Sequence, residues 1–312
     1  MKGLLVPKFS IVVPAYNAEA TLAETLDAIQ TQSFTDWECV VVDDGSTDST
    51  RALTAGYVQR DIRFRMAWQD NLGTADAYNT GVREARADLV VICSADDLLL
   101  PQHLESMAEF IGDNPDYEIY SSNGEYLYES GVRSAVYQNA PWRTERSLSL
   151  EEVLGCCFFS VGVVYRRRTF ELVGGYRPGV YGEDYDFWLR AMAGGARHRY
   201  SPRILSLHRV SAVQKSADIL QVYASNIEVY RNLLEDHLVT ADQAPMVEAA
   251  IVARRALIVR VIDDMARTRA QGLTDRIRRM VGHRLSRLVG KTAVPAFRRL
   301  ETRKWKNRGG GR

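Results

Sequence analysis

Three pairs of adjacent acids are placed where they could do chemistry: Asp43-Asp44, Asp96-Asp97 and Glu183-Asp184. The second pair closes the run Leu89-Val90-Val91-Ile92-Cys93-Ser94-Ala95. A short continuous apolar run of this kind predicts a strand buried on both faces, as in a parallel sheet. In open α/β sheets, ligands bind at the carboxyl ends of the strands. Neighbouring carboxylates repel each other and resist desolvation, so something of opposite charge must hold them there. A hard divalent cation, Mg2+ or Mn2+, bridging to phosphate oxygens does so. Asp is equally favoured as a helix N-cap, and Pro101 follows closely enough for that reading. Each pair taken alone fits a cap. Three pairs ending or following core strands suit a nucleotide diphosphate held through a metal, with one carboxylate left over as a base.

The elements that must carry these acids alternate strand and helix. Phe9 to Pro14 predicts a first strand, stopped by Pro14, and Ala20 to Gln32 a helix with Leu22, Leu26 and Ile29 on one face. Trp37 to Val42 predicts a second buried strand, ending in the turn and cap cluster Asp43-Asp44-Gly45-Ser46-Thr47-Asp48. A helix from Ser49 to Val58, an alternating strand from Ile62 to Trp68 and a helix from Thr74 to Arg86 lead to the strand before Asp96. Repeated strand–helix units are the signature of a parallel sheet with right-handed crossovers. The second half is less regular. A hairpin around Ser130-Gly131, a short helix from Leu150, a strand from Ser160 to Arg166 and a helix from Glu183 to Ala193 are expected. From Ala217 onward the character changes to long helices, with strong helix formers from Ala249 to Ala266.

Composition narrows the class. Hydrophobic content of 46% and charged content of 25% are those of an ordinary globular protein. The net charge of +1 hides an asymmetry. Residues 276–312 hold 13 Lys or Arg and one acid, whereas the first 275 residues hold 27 basic and 38 acidic. An acidic body excludes general nucleic-acid binding, and only the tail suits an anionic surface. Ile277, Val281, Leu285 and Leu288 share one helical face of that tail, as in a basic amphipathic helix lying on a bilayer; a helix packed on its own domain or in a dimer gives the same pattern. No run of about 18 apolar residues is present, so no membrane span is expected. Residues 1–7 are too short for a signal peptide before the first strand. Cys39, Cys93, Cys156 and Cys157 show no Cys-x-x-Cys spacing. A reduced cytoplasmic protein, or one peripheral on the inner face of the plasma membrane, is the expectation.

At this point a resemblance becomes specific. The stretches Ser10-Ile11-Val12-Val13-Pro14-Ala15-Tyr16-Asn17 and Val41-Val42-Asp43-Asp44-Gly45-Ser46-Thr47-Asp48 resemble the family 2 glycosyltransferases, of the GT-A fold. Val173-Gly174-Gly175-Tyr176 and Gly182-Glu183-Asp184-Tyr185-Asp186-Phe187-Trp188-Leu189-Arg190 continue the likeness, which runs from Phe9 to Ser216. It implies an α/β GT-A domain over residues 1–216, Rossmann-like with a mostly parallel sheet flanked by helices, followed by a helical region with a basic tail over 217–312. It implies an inverting, metal-dependent enzyme moving a sugar from a nucleotide-sugar donor, a UDP- or dTDP-sugar, to a hydroxyl of a glycan or lipid-linked acceptor, in cell-envelope or exopolysaccharide synthesis. Pro14, Ala15 and Tyr16 would hold the base, Glu19 would lie near the ribose, and Asp44 would accept a hydrogen bond from the base. Asp96 and Asp97 match the metal motif, Asp184 the general base, and Glu183 its assistant.

The chain departs from the family pattern twice. Many relatives have an acid where Ser94 stands, which leaves the metal to Asp96 and Asp97. Relatives often place a His after an Arg near the domain end; aligned on Arg209, that place holds Ser211, and a small shift brings in His208 as the metal ligand. A lone His is also a common structural hydrogen bonder, and imidazole is not the preferred partner of Mg2+ or Mn2+. Arg166-Arg167-Arg168 could meet an anionic acceptor or be a solvated charge run. Cys156-Cys157-Phe158-Phe159 could line the acceptor side or pack in the core. A non-catalytic sugar-nucleotide or glycan-binding protein on the same fold is the rival class. A nucleotidyltransferase is disfavoured because the first strand carries no Gly-rich phosphate loop.

Overall fold

The computed structural model describes residues 6–131, 133–136, 143–155, 159, 161–210 and 218–267. The chain divides into two compact units, Met1–Gln214 and Lys215–Arg312. The first unit opens with four parallel strands in the spatial order β3-β2-β1-β4: β1 (Phe9–Ala15), β2 (Trp37–Asp44), β3 (Phe64–Gln69) and β4 (Leu89–Ile92). Helices α1 (Leu22–Gln30), α2 (Thr50–Arg60) and α3 (Thr74–Glu84) connect them. Every residue of β2 and β4 is buried, which explains their uninterrupted Val and Ile. Cys39 and Cys93 are buried and free, and serve the core as small apolar groups. Burying each Val or Ile side chain contributes roughly 1.5–3 kcal/mol.

Pro14 does not end β1. Val12 accepts from the Cys93 N–H at 3.2 Å, so its backbone faces β4, and Pro14, two residues on, faces the same way. The pairing of β1 with β4 stops at Val12↔Ile92, so no ladder bond is lost at the proline.

Beyond β4 the sheet becomes mixed. A short strand β5 (Leu98–Leu99) leads into α4 (His103–Asp113) and β6 (Ile119–Leu127). A hairpin then runs from β6 to β7 (Arg133–Ala135), as expected around Ser130-Gly131. Next come α5 (Leu150–Gly155), β8 (Val164–Arg166), α6 (Arg167–Val173), α7 (Glu183–Ala193) and β9 (His198–Arg209). β8 lies antiparallel between β4 and β6, and β9 runs parallel to β6. Both β5 and β9 went unread in the sequence. Pro202 disguises β9: the register passes from Ser122↔Ser201 to Asn123↔Ile204, leaving Pro202 and Arg203 in a bulge where no ladder N–H is required.

The second unit contains α8 (Ile219–Glu235) and α9 (Ala244–Arg267), packed on each other. The basic tail from 276 onward lies outside the described residues, as do Cys156, Cys157, Phe158 and Ser211. Among the described residues, no helix is long and apolar enough to cross a membrane.

Candidate active site

The carboxyl ends of β1 and β2 carry two loops that hydrogen-bond to each other. Asn17, in the left-handed region at φ 48°, accepts from the Thr47 N–H at 2.8 Å, and its own N–H donates to Ser46 Oγ. The Ala18 N–H donates to Thr50 Oγ1 at 2.8 Å. Glu19 accepts from the Ser49 N–H at 3.0 Å, so one of its oxygens caps α2. Pro14 is partly buried, Ala15 is buried, and Tyr16 stands 49% exposed above them, an aromatic surface open to a planar ligand.

Asp43 and Asp44 are both buried, and neither is the N-cap of α2, which is Ser49. Asp43 accepts from the Ser46 N–H and pairs with Arg51 at 2.7 Å. Asp44 accepts from Gln69 Nε2 at 2.7 Å and from the Leu72 and Gly73 N–H groups at 3.0 and 2.9 Å. It thereby anchors the start of α3. A carboxylate accepts about four hydrogen bonds, which leaves one direction for a ligand. Gly45 (φ 74°) is required in the turn between them, because a Cβ there would lie 2.7 Å from the Asn71 nitrogen.

The loop of Asp96 and Asp97 is held from three sides. Thr21, the N-cap residue of α1, and Thr25 within it donate their hydroxyls to Ala95 O at 2.9 and 3.1 Å. Arg209 of β9 donates its Nε to Asp96 O and its backbone N–H to Asp97 Oδ1, both at 3.0 Å, while its guanidinium also reaches Glu24. His208 Nδ1 lies 3.2 Å from the same Asp97 oxygen. The capping reading fails for this pair: α4 begins only at His103, with Gln102 as its cap and β5 in between. Arg209 holds Asp96 through its backbone carbonyl. Burial, then the charge of Asp97, raises its pKa.

Glu183 and Asp184 open α7 behind Gly182, which adopts φ 81°. Acids in a first helical turn are also what the helix dipole favours, so here the capping reading and the site reading coincide. Glu183 is buried and Asp184 exposed, its Oδ1 accepting from the Tyr185 N–H at 2.7 Å.

His208 senses how these carboxylates converge. Burial works against its charged form, yet the hydrogen bond to Asp97 and the charges of Asp97, Asp96 and Asp184 outweigh it, and its pKa is raised. Tyr78 of α3 reports the other side of the same space. Burial, then the charges of Asp184 and Glu183, pushes its phenol well above the usual range.

The donor set fits a hard divalent cation. Two adjacent carboxylates, one of them with its proton affinity raised by burial and by the other's charge, are relieved by such an ion. Among the described residues no three His, Cys, Asp or Glu side chains form a ligand cluster, so such an ion would draw its remaining oxygens from diphosphate and water.

The arginine run is elsewhere. Arg166 pairs with Leu89, at the opposite edge of the sheet, and donates to Tyr117 O and Pro115 O. Arg167 holds Ala85 O and Arg168 meets Glu118, so all three are tied down locally. Sequence reasoning missed Thr21, Thr25 and Tyr78. Only their helical spacing marked them, and that spacing serves equally for packing.

Acidic pairs after β2 and β4 lie where open α/β sheets bind their ligands. The family model described as glycosyl transferase family 2 matches residues 10–173, just over half of the sequence, and the chain belongs to that family. It is 29% identical over 196 residues to the putative glycosyltransferase EpsE of Bacillus subtilis (strain 168), covering 61% of this chain and 69% of EpsE. The chain spans 25% to 69% of the length of the first curated relatives it matches. Among solved structures it is similar to S. aureus TarS 1-349 in complex with UDP-GlcNAc, with TM-score 0.62, 18% identity and coverage of 96% of this chain and 92% of that one. It is also similar to the mannosyltransferase PcManGT from Pyrobaculum calidifontis in complex with GDP-Man and Mn2+, with TM-score 0.64, 18% identity and coverage of 93% and 85%. At such identities the likeness establishes the fold.

Proposed function

We propose that this protein is an inverting glycosyltransferase that moves a sugar from a nucleotide-sugar donor to a hydroxyl acceptor in polysaccharide synthesis. The observation that carries the reading is the Asp96–Asp97 loop, held after β4 by Thr21, Thr25 and Arg209 with His208 Nδ1 3.2 Å from Asp97 Oδ1. Tyr16 stacks on the base, above Pro14 and Ala15, and Asp44 offers its remaining acceptor direction to a ring N–H. A uracil, thymine or guanine ring supplies that N–H, and complexes of similar structures with UDP-GlcNAc and GDP-Man support both classes. The free oxygen of Glu19 faces the ribose. Asp96 and Asp97 would hold Mg2+ or Mn2+, with His208, hydrogen-bonded to Asp97, beside them as a partner of the diphosphate. The bound ion supplies charge neutralisation to the departing diphosphate.

Asp184 takes the proton from the acceptor hydroxyl as its oxygen attacks the anomeric carbon. The bond from that carbon to the diphosphate oxygen breaks, and its electrons leave with the nucleotide. Attack opposite the leaving group inverts the configuration, through an oxocarbenium-like transition state. Glu183, buried beside Asp184, orients it.

Donor binding tests the first half of this reading. Calorimetry with a panel of UDP-, dTDP- and GDP-sugars, with and without EDTA, is expected to give binding that weakens sharply on chelation. Equal affinity in both conditions removes the metal from the mechanism. Failure of any donor to turn over with a range of acceptors leaves a binding protein.

A further inference from the structure

A chain of side-chain hydrogen bonds runs from the middle of α3 to the end of β2. Thr80 Oγ1 lies 2.6 Å from Gln69 Oε1, and Gln69 Nε2 lies 2.7 Å from Asp44 Oδ1. Chemistry fixes its polarity. A carboxylate only accepts, so the Gln69 amide turns its nitrogen to Asp44 and its oxygen to Thr80, whose hydroxyl must then donate. Gln69 ends β3 directly beside Asp44 in the parallel register, so the two side chains leave the sheet together. We infer that Gln69 and Thr80 are positioning residues for nucleobase recognition: they set the Asp44 carboxylate so that it selects a base carrying a ring N–H. The inference rests on the reading of Asp44 as the acceptor for the base.

The two oxygens of Asp44 are loaded unequally. Oδ1 accepts from Gln69 Nε2 at 2.7 Å and from the Leu72 N–H at 3.0 Å. Among the described residues Oδ2 accepts from the Gly73 N–H, at 2.9 Å. Oδ2 is therefore the oxygen with acceptor capacity to spare. α3 holds this carboxylate at two points. Leu72 and Gly73 bind it at the helix start, and Thr80 reaches it through Gln69 from further along the helix. The backbone bonds anchor the loop, and the Gln69 amide fixes the plane of the carboxylate against rotation. Asp44 is 3% exposed, so a ligand atom that meets it must satisfy it. Uracil and guanine present a ring N–H. Cytosine and adenine present a bare ring nitrogen, whose lone pair would face the carboxylate. A site built to receive a hydrogen bond rejects the analogue that lacks it.

Calorimetry with two size-matched pairs, UDP against CDP and GDP against ADP, tests the inference with Mn2+ present throughout. Diphosphate and metal are common to each pair, so the ratio of Kd values reports the base alone. The parent is expected to prefer the member with the ring N–H about 10- to 100-fold in at least one pair. Gln69→Leu keeps the bulk and the bonds from Leu72 and Gly73. It is expected to shrink that preference at least about fivefold, through weaker binding of the preferred nucleotide, with the other within about twofold of its parent affinity. Thr80→Val frees the amide to turn and is expected to act in the same direction more weakly, whereas Thr80→Ser, which keeps the hydroxyl, retains the parent preference. A merely structural role weakens both members of a pair in proportion. That result, or a preference within about twofold of the parent's in Gln69→Leu, overturns the positioning role and leaves the reading of Asp44 standing. A parent without preference in either pair overturns the reading of Asp44 and this inference with it. If Gln69→Leu does not fold, Thr80→Val against Thr80→Ser decides.

Discussion

At the scale of single residues the acids of the site divide by what their oxygens already do. Asp43 is committed to Ser46 and Arg51, and Asp44 mostly to the start of α3. The printed contacts of Asp96 with Arg209 run through its backbone carbonyl, and Asp184 is exposed. Asp184→Asn is therefore expected to lower transfer about 10²–10⁴-fold, the usual contribution of a general base, with donor affinity nearly intact. Normal turnover in that variant would transfer the role to Glu183. The three acidic clusters were legible in the sequence, because adjacent acids after a buried strand are rarely tolerated without use. Which donors each of them meets was not legible. That depends on donors such as Gln69, Leu72 and Arg209, which come from other elements.

At the scale of elements α3 has the tightest placement. It crosses the sheet at Gly81, where a Cβ would come 2.3 Å from Val12 Cγ1 and 3.2 Å from Val42 Cγ2. Alanine favours a helix over glycine by about 1 kcal/mol. Overpacking typically costs about 1–3 kcal/mol, and this overlap is severe. Gly81→Ala is thus expected to destabilise the protein, by about 1–2 kcal/mol net of the propensity gain. Urea denaturation measures this, and an unchanged or raised midpoint would show that α3 can shift on the sheet.

For the whole molecule, acid stability and the basic tail offer separate tests. His103 and His198 are buried, and burial lowers their pKa values to about 4 and about 3. In the unfolded chain each titrates near the ordinary value of about 6.5. Between those limits the unfolded state binds more protons, so stability falls as pH falls. The slope is about 1.4 kcal/mol per pH unit for each histidine, ending near pH 4 for His103 and near pH 3 for His198. His103→Asn, whose amide can still donate to Leu205 O, is expected to flatten the decline seen by urea denaturation from pH 7 to 5 relative to the parent. An identical slope would mean that His103 already carries a proton. The tail yields to vesicles. A chain cut before Arg276 is expected to keep donor binding but to stop co-sedimenting with anionic vesicles, and the parent's binding is expected to weaken with salt. A parent that ignores such vesicles at low salt excludes the membrane reading.

The first four strands, their order of appearance, the acidic clusters and the family resemblance all follow from local pattern, since burial on both faces imposes apolar runs and turn chemistry imposes Gly, Asp and Ser. α7 was legible to the residue for the same reason, with Gly182 before it and acids in its first turn. β9 was not, because Pro202 is compatible with a strand only if a bulge in its pairing with β6 absorbs it, and that pairing joins residues about 80 positions apart. The capping alternative for Asp96-Asp97 was undecidable locally and is settled by β5, a two-residue strand that exists only through β9. Gln69, Thr80 and Arg209 acquire their roles the same way. Their partners are distant in sequence, so only the packed chain determines which carboxylates are held, which are left open, and how far apart they stand.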